Sequence, residues 1–428
     1  MDNITTLTPG DILRKIRKEL GFKQHELAAD DITRNLISLI ENNRATLNRG
    51  NAEILVRNMN SLCKARGIDI ELEFRDLFIP GIYDAKSKAR GYMDYLKEAT
   101  YNNYRIPNDK IDEIALFVSK WDLQPQNTYI YELIAKYYLE HNDIPTSYSY
   151  YIKTFENAVK IDKNPMIVLN LAPRVMDVCV HLGRTNDALQ IGKIAQAHCF
   201  SEDMKCMIPI WYKLASINYN NKNYDEASKH LTQLDKYLEM SESSRIVDIN
   251  ILKILVCIEN KNYKKALEIL NTTEALIQNE DEIEDLLNSM KVKIFTLKSN
   301  KKSVQKEIDI LDDHLSSLKY IPAYISDISI NMAFGYTYLK NISKANEYLK
   351  TALSFALKNK DRISYKKIIE FIYDNEANFV DILEQVINNK SDKLAHFLNE
   401  RDLISLMKLL NKNQKFDLSN KILLQYNV

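Results

Sequence analysis

At 428 residues, with 58 Lys+Arg balanced by 58 Asp+Glu, the chain carries no formal net charge. That length allows two or more domains with a large buried surface, and the charge balance excludes a global basic field that would announce nucleic acid by itself. Glycine and proline are scarce at nine each, and strict alternation of β-branched residues is rare, which predicts an all-α protein.

The first element to expect begins at Thr8-Pro9, where Thr8 can cap a helix and Pro9 takes its first position. Ile12, Leu13, Ile16 and Leu20 then fall at helical spacing, and Gly21 ends the segment. Residues 23–28 form a short second helix. A third runs from about Thr33 to Asn42, with Leu36, Ile37 and Ile40 facing inward and Arg34, Asn35 and Ser38 outward. A short helix with a polar face, carried on two others, is what a DNA major groove accepts. Residues 1–70 hold 11 Lys/Arg and 9 Asp/Glu, so their charge alone makes no case for DNA.

Residues 9–44 resemble the helix-turn-helix of phage repressors and Xre-type regulators. The residues that carry the likeness are Gln24, Glu26-Leu27-Ala28, Ile32-Thr33-Arg34-Asn35 and the run from Ile37 to Arg44. The turn at Ala29-Asp30-Asp31 lacks the family's usual glycine and is about one residue shorter. The resemblance implies that Gln24 touches a phosphate, that Thr33, Arg34, Asn35 and Ser38 read base edges, and that Glu41 braces the module. Arg44 is assigned to DNA with them. The head is taken as residues 1–70.

Residues 71–128 read as a connector and a divergent first helical pair, with Pro80-Gly81 breaking the chain before a long helix over 83–100 and another over 107–121. From about 129 the chain repeats itself. A polar turn opens a helix with a small residue at Asn223-Tyr224-Asp225-Glu226-Ala227 and at Asn262-Tyr263-Lys264-Lys265-Ala266, with weaker copies ending at Ala188 and Ala345 and degenerate ones at Ser147 and near Val304. The period is 38–41 residues, the signature of stacked helix pairs. Trp211, Leu214 and Ala215 followed by Ala227, Leu231 and Leu234 resemble a tetratricopeptide unit, which implies a right-handed α-solenoid over residues 129–365. Helices over 366–373, 379–388, 393–399, 403–410 and 418–425 would form a closing cap that could also dimerise.

Chemistry is conspicuous by what is missing. The sequence has no phosphate-cradling glycine loop, no HExxH, no paired Cys/His set and no GxSxG, so no enzyme activity, cofactor or metal is expected. The five cysteines (Cys63, Cys179, Cys199, Cys206 and Cys257) form no CxxC pair and read as reduced thiols of a cytoplasmic protein. Neither a signal-peptide core nor an apolar run of bilayer length occurs, so no membrane partner is expected.

The order of an Xre-type head followed by tetratricopeptide-like repeats resembles the peptide-pheromone receptors of Gram-positive bacteria, the Rap/Rgg/NprR/PlcR/PrgX group. That resemblance implies a cytoplasmic quorum-sensing transcription regulator, expected as a homodimer, with double-stranded DNA and a short signalling peptide as partners. On the concave repeat surface, Asn170, Asn218, Asn250 and Asn331 could bond a peptide backbone. Arg174 and Lys213 could meet its carboxylate, and Tyr212 and Tyr219 could wall the site. The competing expectation is a repeat-based protein–protein adaptor or response-regulator inhibitor whose head does not bind DNA.

Overall fold

The structure is a computed structural model that describes residues 7–68, 70–161, 165–199, 204–237, 243–277, 281–317, 324–359, 361–375, 382 and 400–425. Among the described residues every regular element is helical. The chain divides into two compact units, residues 1–182 and 183–428.

The first unit begins with α1 (Pro9–Glu19), α2 (Gln24–Ala28), α3 (Arg34–Glu41) and α4 (Arg49–Ala65), followed by a 3₁₀ turn (Phe74–Leu77). Thr8 caps α1 in a capping box with Asp11, Thr33 caps α3 by accepting from Leu36 N–H, and Asn48 caps α4. Leu13, Ile16, Leu27, Ile37, Ile40, Leu55 and Met59 fill one shared core. The sequence reading leaves α4 unassigned, although Ala52, Leu55, Val56, Met59 and Cys63 form its buried stripe.

The same unit continues with α5 (Ile82–Tyr101), α6 (Asn108–Lys120), α7 (Gln124–Glu140), α8 (Ile144–Lys160) and α9 (Pro165–His181). The four-helix head is fastened to α5. Tyr83 enters the head core, Lys86 meets the wholly buried Asp76 at 2.8 Å, and Lys15 meets Asp84 at 2.6 Å. Gly81, at φ +82°, lies where a side chain would press on the Trp121 ring.

The second unit holds α10 (Thr185–Ala197), α11 (Met204–Asn220), α12 (Tyr224–Asp235), α13 (Ser243–Glu259), α14 (Tyr263–Glu274), α15 (Asp281–Leu297), α16 (Lys301–Ser317), α17 (Ile325–Tyr338), α18 (Ile342–Lys358), α19 (Arg362–Asn375), α20 (Glu400–Lys412) and α21 (Phe416–Gln425). Within it, α11 pairs with α12, α13 with α14, α15 with α16 and α17 with α18. First helices also touch one another, α11 on α13, α15 on α17 and α17 on α19. Of the expected cap helices, those over 379–388 and 393–399 lie outside the described residues except for Ile382, which is buried.

The repeat marker has a local physical cause. Asn142, Gly183, Lys222, Lys261, Ser299 and Lys340 all adopt positive φ, at the 38–41-residue interval of the sequence pattern. Each ends a helix in the left-handed conformation. In five of the six turns the next residue's N–H bonds the carbonyl five positions back, as in Asn223→Asn218, Asn262→Cys257, Asn300→Phe295 and Asn341→Tyr336 at 2.8–2.9 Å. That residue then caps the following helix: Asp143, Asn262, Asn300 and Asn341 accept from the N–H three residues on. The small residue four positions after the cap packs without exposure in every copy, at Ser147, Ala188, Ala227, Ala266, Val304 and Ala345. A short side chain there lets the paired helices approach closely.

Candidate nucleic-acid interface

The surface offered by the head is built on α3, and α3 is held from behind. Glu41, at its last turn, is 3 % exposed. Arg17 of α1 grips it twice, Nε to Oε1 at 2.5 Å and Nη2 to Oε2 at 2.8 Å, and Gln24 at the start of α2 donates Nε2 to Oε2 at 2.8 Å. The remaining Arg17 nitrogen, Nη1, donates to the Phe22 carbonyl at 2.8 Å. One carboxylate therefore ties all three helices and the α1–α2 turn together. Burial pushes the Glu41 carboxyl up, but the Arg17 and Gln24 hydrogen bonds more than offset it and hold it below the usual glutamate value.

A second fastening joins the segment just after α3 to the start of α1. Asn43 receives the Thr8 hydroxyl at 2.5 Å and donates to Asp11 at 3.2 Å. Gly10 sits so close to this end that a Cβ there would lie 2.0 Å from the Ile40 carbonyl oxygen, so only glycine fits. Arg66, just after α4, stacks on Phe22, its guanidinium 4.8 Å from the ring centroid, and pairs with Glu26.

Against this frame the candidate DNA residues separate into two kinds. Arg34, Asn35 and Arg44 are exposed, and Ser38 is half-buried beside them on the face of α3 turned from the core. Thr33 is exposed but its hydroxyl serves the cap, and the Gln24 amide nitrogen is engaged by Glu41. Asp31, which would place negative charge near the groove-facing end, is paired with Arg57 at 2.7 Å. Ala29, in the glycine-less turn, is forced to φ +43°. Arg17, the main partner of the bracing glutamate, goes unread in the sequence because nothing local marks it.

The peptide candidates are scattered. Asn170 is exposed on α9, and Arg174 one turn on is paired with Glu132 of α7. In the second unit Tyr212 and Lys213 are half-buried on α11. Burial, then the nearby charge of Asp248, pushes the Tyr212 phenol up to about 12. Asn218 and Asn250 are both buried, and Asn218 donates to the Leu214 carbonyl at 2.8 Å. Asn331 bonds Ser289 Oγ at 3.0 Å between α17 and α15. Among the described residues no group of three His, Cys, Asp or Glu side chains could hold a metal ion, and no helix is long and apolar enough to cross a membrane.

No protein-family profile matches the chain, and no curated protein matches it in sequence. Among solved structures, a mutant of PrgX is similar over 70 % of this chain and 99 % of its own, at 12 % identity and a TM-score of 0.31.

Proposed function

We propose that the protein is a sequence-specific DNA-binding regulator of the cytoplasm, acting as a homodimer, whose repeats take up a short signalling peptide. The observation that carries the DNA reading is the outward face of α3. Arg34 and Asn35 stand exposed on a helix whose opposite face is locked by Glu41, Arg17 and Gln24. Arginine pairs naturally with guanine and asparagine with adenine in the major groove, each contact being worth roughly 1–3 kcal/mol of discrimination. Two such heads about one helical turn of DNA apart would read a pseudo-palindrome. Stacked helix pairs with half-buried tyrosine and lysine on their first helices support the peptide reading, since an extended peptide can lie along such a row.

The test is recovery of genomic DNA fragments by the purified full chain, with and without an extract of spent culture medium. A few sharp sites, changed by the extract and absent for Arg34→Ala/Asn35→Ala, are the expected result. Equal recovery of all fragments by wild type and double variant would overturn the DNA reading.

A further inference from the structure

A polar cavity of about 470 Å³ opens in the first unit, where the end of α6, the start of α7 and the last turns of α8 meet. Asn127 lines it and is 6 % exposed. Its Nδ2 is spent on the Trp121 carbonyl at 2.7 Å and the Val118 carbonyl at 3.3 Å. Those two bonds fix the orientation of the amide and leave Oδ1 without a partner. Gln124, three residues earlier on the same face of α7, repeats the pattern: Nε2 donates to Asp122 at 2.8 Å, and the buried Oε1 has no partner. Two amide oxygens at one cavity therefore lack a donor, and a buried acceptor left so is costly until an occupant donates to it.

The rest of the lining describes that occupant. Carbonyl oxygens only accept, so the group that meets them must carry N–H donors. Lys120 and Lys153 stand at the exposed rim, and neither has a carboxylate partner among the described residues. Lys120 rests 5.8 Å from the Trp121 ring and Lys153 5.0 Å from the Tyr150 ring. They suit an anionic group at the outer end of the occupant. Trp121 and Tyr131 add aromatic surface. The volume falls within the range of about 300–1,000 Å³ typical of small-molecule sites.

We propose that this cavity binds a free apolar α-amino acid. Its ammonium donates to Asn127 Oδ1 and Gln124 Oε1, its carboxylate meets Lys153, and its side chain lies along Trp121. The inference is independent of the peptide reading above. The same residues carry the head: the Asp122 carbonyl accepts from Arg75 of the 3₁₀ turn at 2.6 Å, and a Cβ on Gly81 would stand 3.0 Å from the Trp121 ring. An occupant that holds Trp121 and Asp122 in place thereby stiffens the joint between head and helical repeats.

The test uses the full chain and the common amino acids, each offered also as its N-acetyl derivative and its carboxamide. Equilibrium dialysis read by mass spectrometry gives the binding. At least one apolar amino acid is expected to bind, and N-acetylation or Gln124→Leu should each weaken it roughly 10-fold or more. Lys153→Met should weaken the free acid roughly 2- to 5-fold and leave the carboxamide unchanged. Amides of residues 74–86 should exchange more slowly when the amino acid is bound. Retention of no amino acid by wild type would overturn the site and leave the cavity to water. Equal binding of the N-acetyl form by wild type would overturn the ammonium assignment. Binding that leaves exchange over 74–86 unchanged would overturn the link to the head.

Discussion

Replacing Glu41 by alanine removes the one group that binds α1, α2 and α3 together, and the cost can be worked from its surroundings. The Glu41 side chain is 2 % exposed and that of Arg17 12 %, so the substitution strands a buried guanidinium whose remaining acceptor is the Phe22 carbonyl. Removing one member of a buried pair costs about 3–5 kcal/mol. Hydrogen exchange of head peptides in the full chain reads this locally, because units of a structure open independently. At about 1.4 kcal/mol per tenfold, amides of α1 and α3 in Glu41→Ala should exchange on the order of 100-fold faster, or more. Arg17→Met/Glu41→Leu leaves no stranded charge and should lose less protection than either Glu41→Ala or Arg17→Met alone. The carboxyl is held below the usual 4.5. Its contribution is therefore complete above the unfolded-state value and disappears as pH falls through the lower folded-state value, a dependence that Glu41→Gln should abolish. Less than a tenfold change in Glu41→Ala, or a double variant no better than the singles, would refute the brace.

Three further outcomes are expected. Gly10→Ala places a Cβ 2.0 Å from the Ile40 carbonyl oxygen. It should displace α3 and weaken DNA recovery at every site although residue 10 contacts no groove, and unchanged recovery would mean that α1 shifts freely. Ala29→Gly relieves a non-glycine residue at φ +43° and should stabilise the head by about 0.5–1 kcal/mol, seen as slower exchange of α2 and α3 amides. Ala227→Phe overfills the fully buried approach of α12 to α11 and should cost about 1–3 kcal/mol in urea unfolding while leaving exchange of the head peptides unchanged.

The local motifs of this chain were readable because their causes are local. The helix start at Thr8-Pro9 and the repeated polar turn that opens a helix with a small residue depend on hydrogen bonds spanning three to five positions. Residue types within that span fix them, and so the repeat period and the all-helical class follow directly. Even the degenerate copies at Ser147 and Val304 occupy the same buried position as the alanines, because what the position requires is modest bulk. The helix α4 escaped notice for the opposite reason: Asn51, Asn58 and Asn60 interrupt its apolar pattern, and Asn58 and Asn60 are used in bonds to Leu27 and Leu72 that only packing creates.

Assignments between distant residues belong to the tertiary structure. Glu41 could be singled out from its motif, but its partner Arg17 lies 24 residues earlier and carries no mark of the role. Asn218 and Asn250 look like available amides in sequence and are buried in the fold. Lys222 and Glu370, far apart in the chain, pair at 3.0 Å only in the folded second unit. Helical periodicity states which residues share a stripe. The side that faces the core, the side that faces the groove, and which charges meet across it are set by how one helix pair packs on the next.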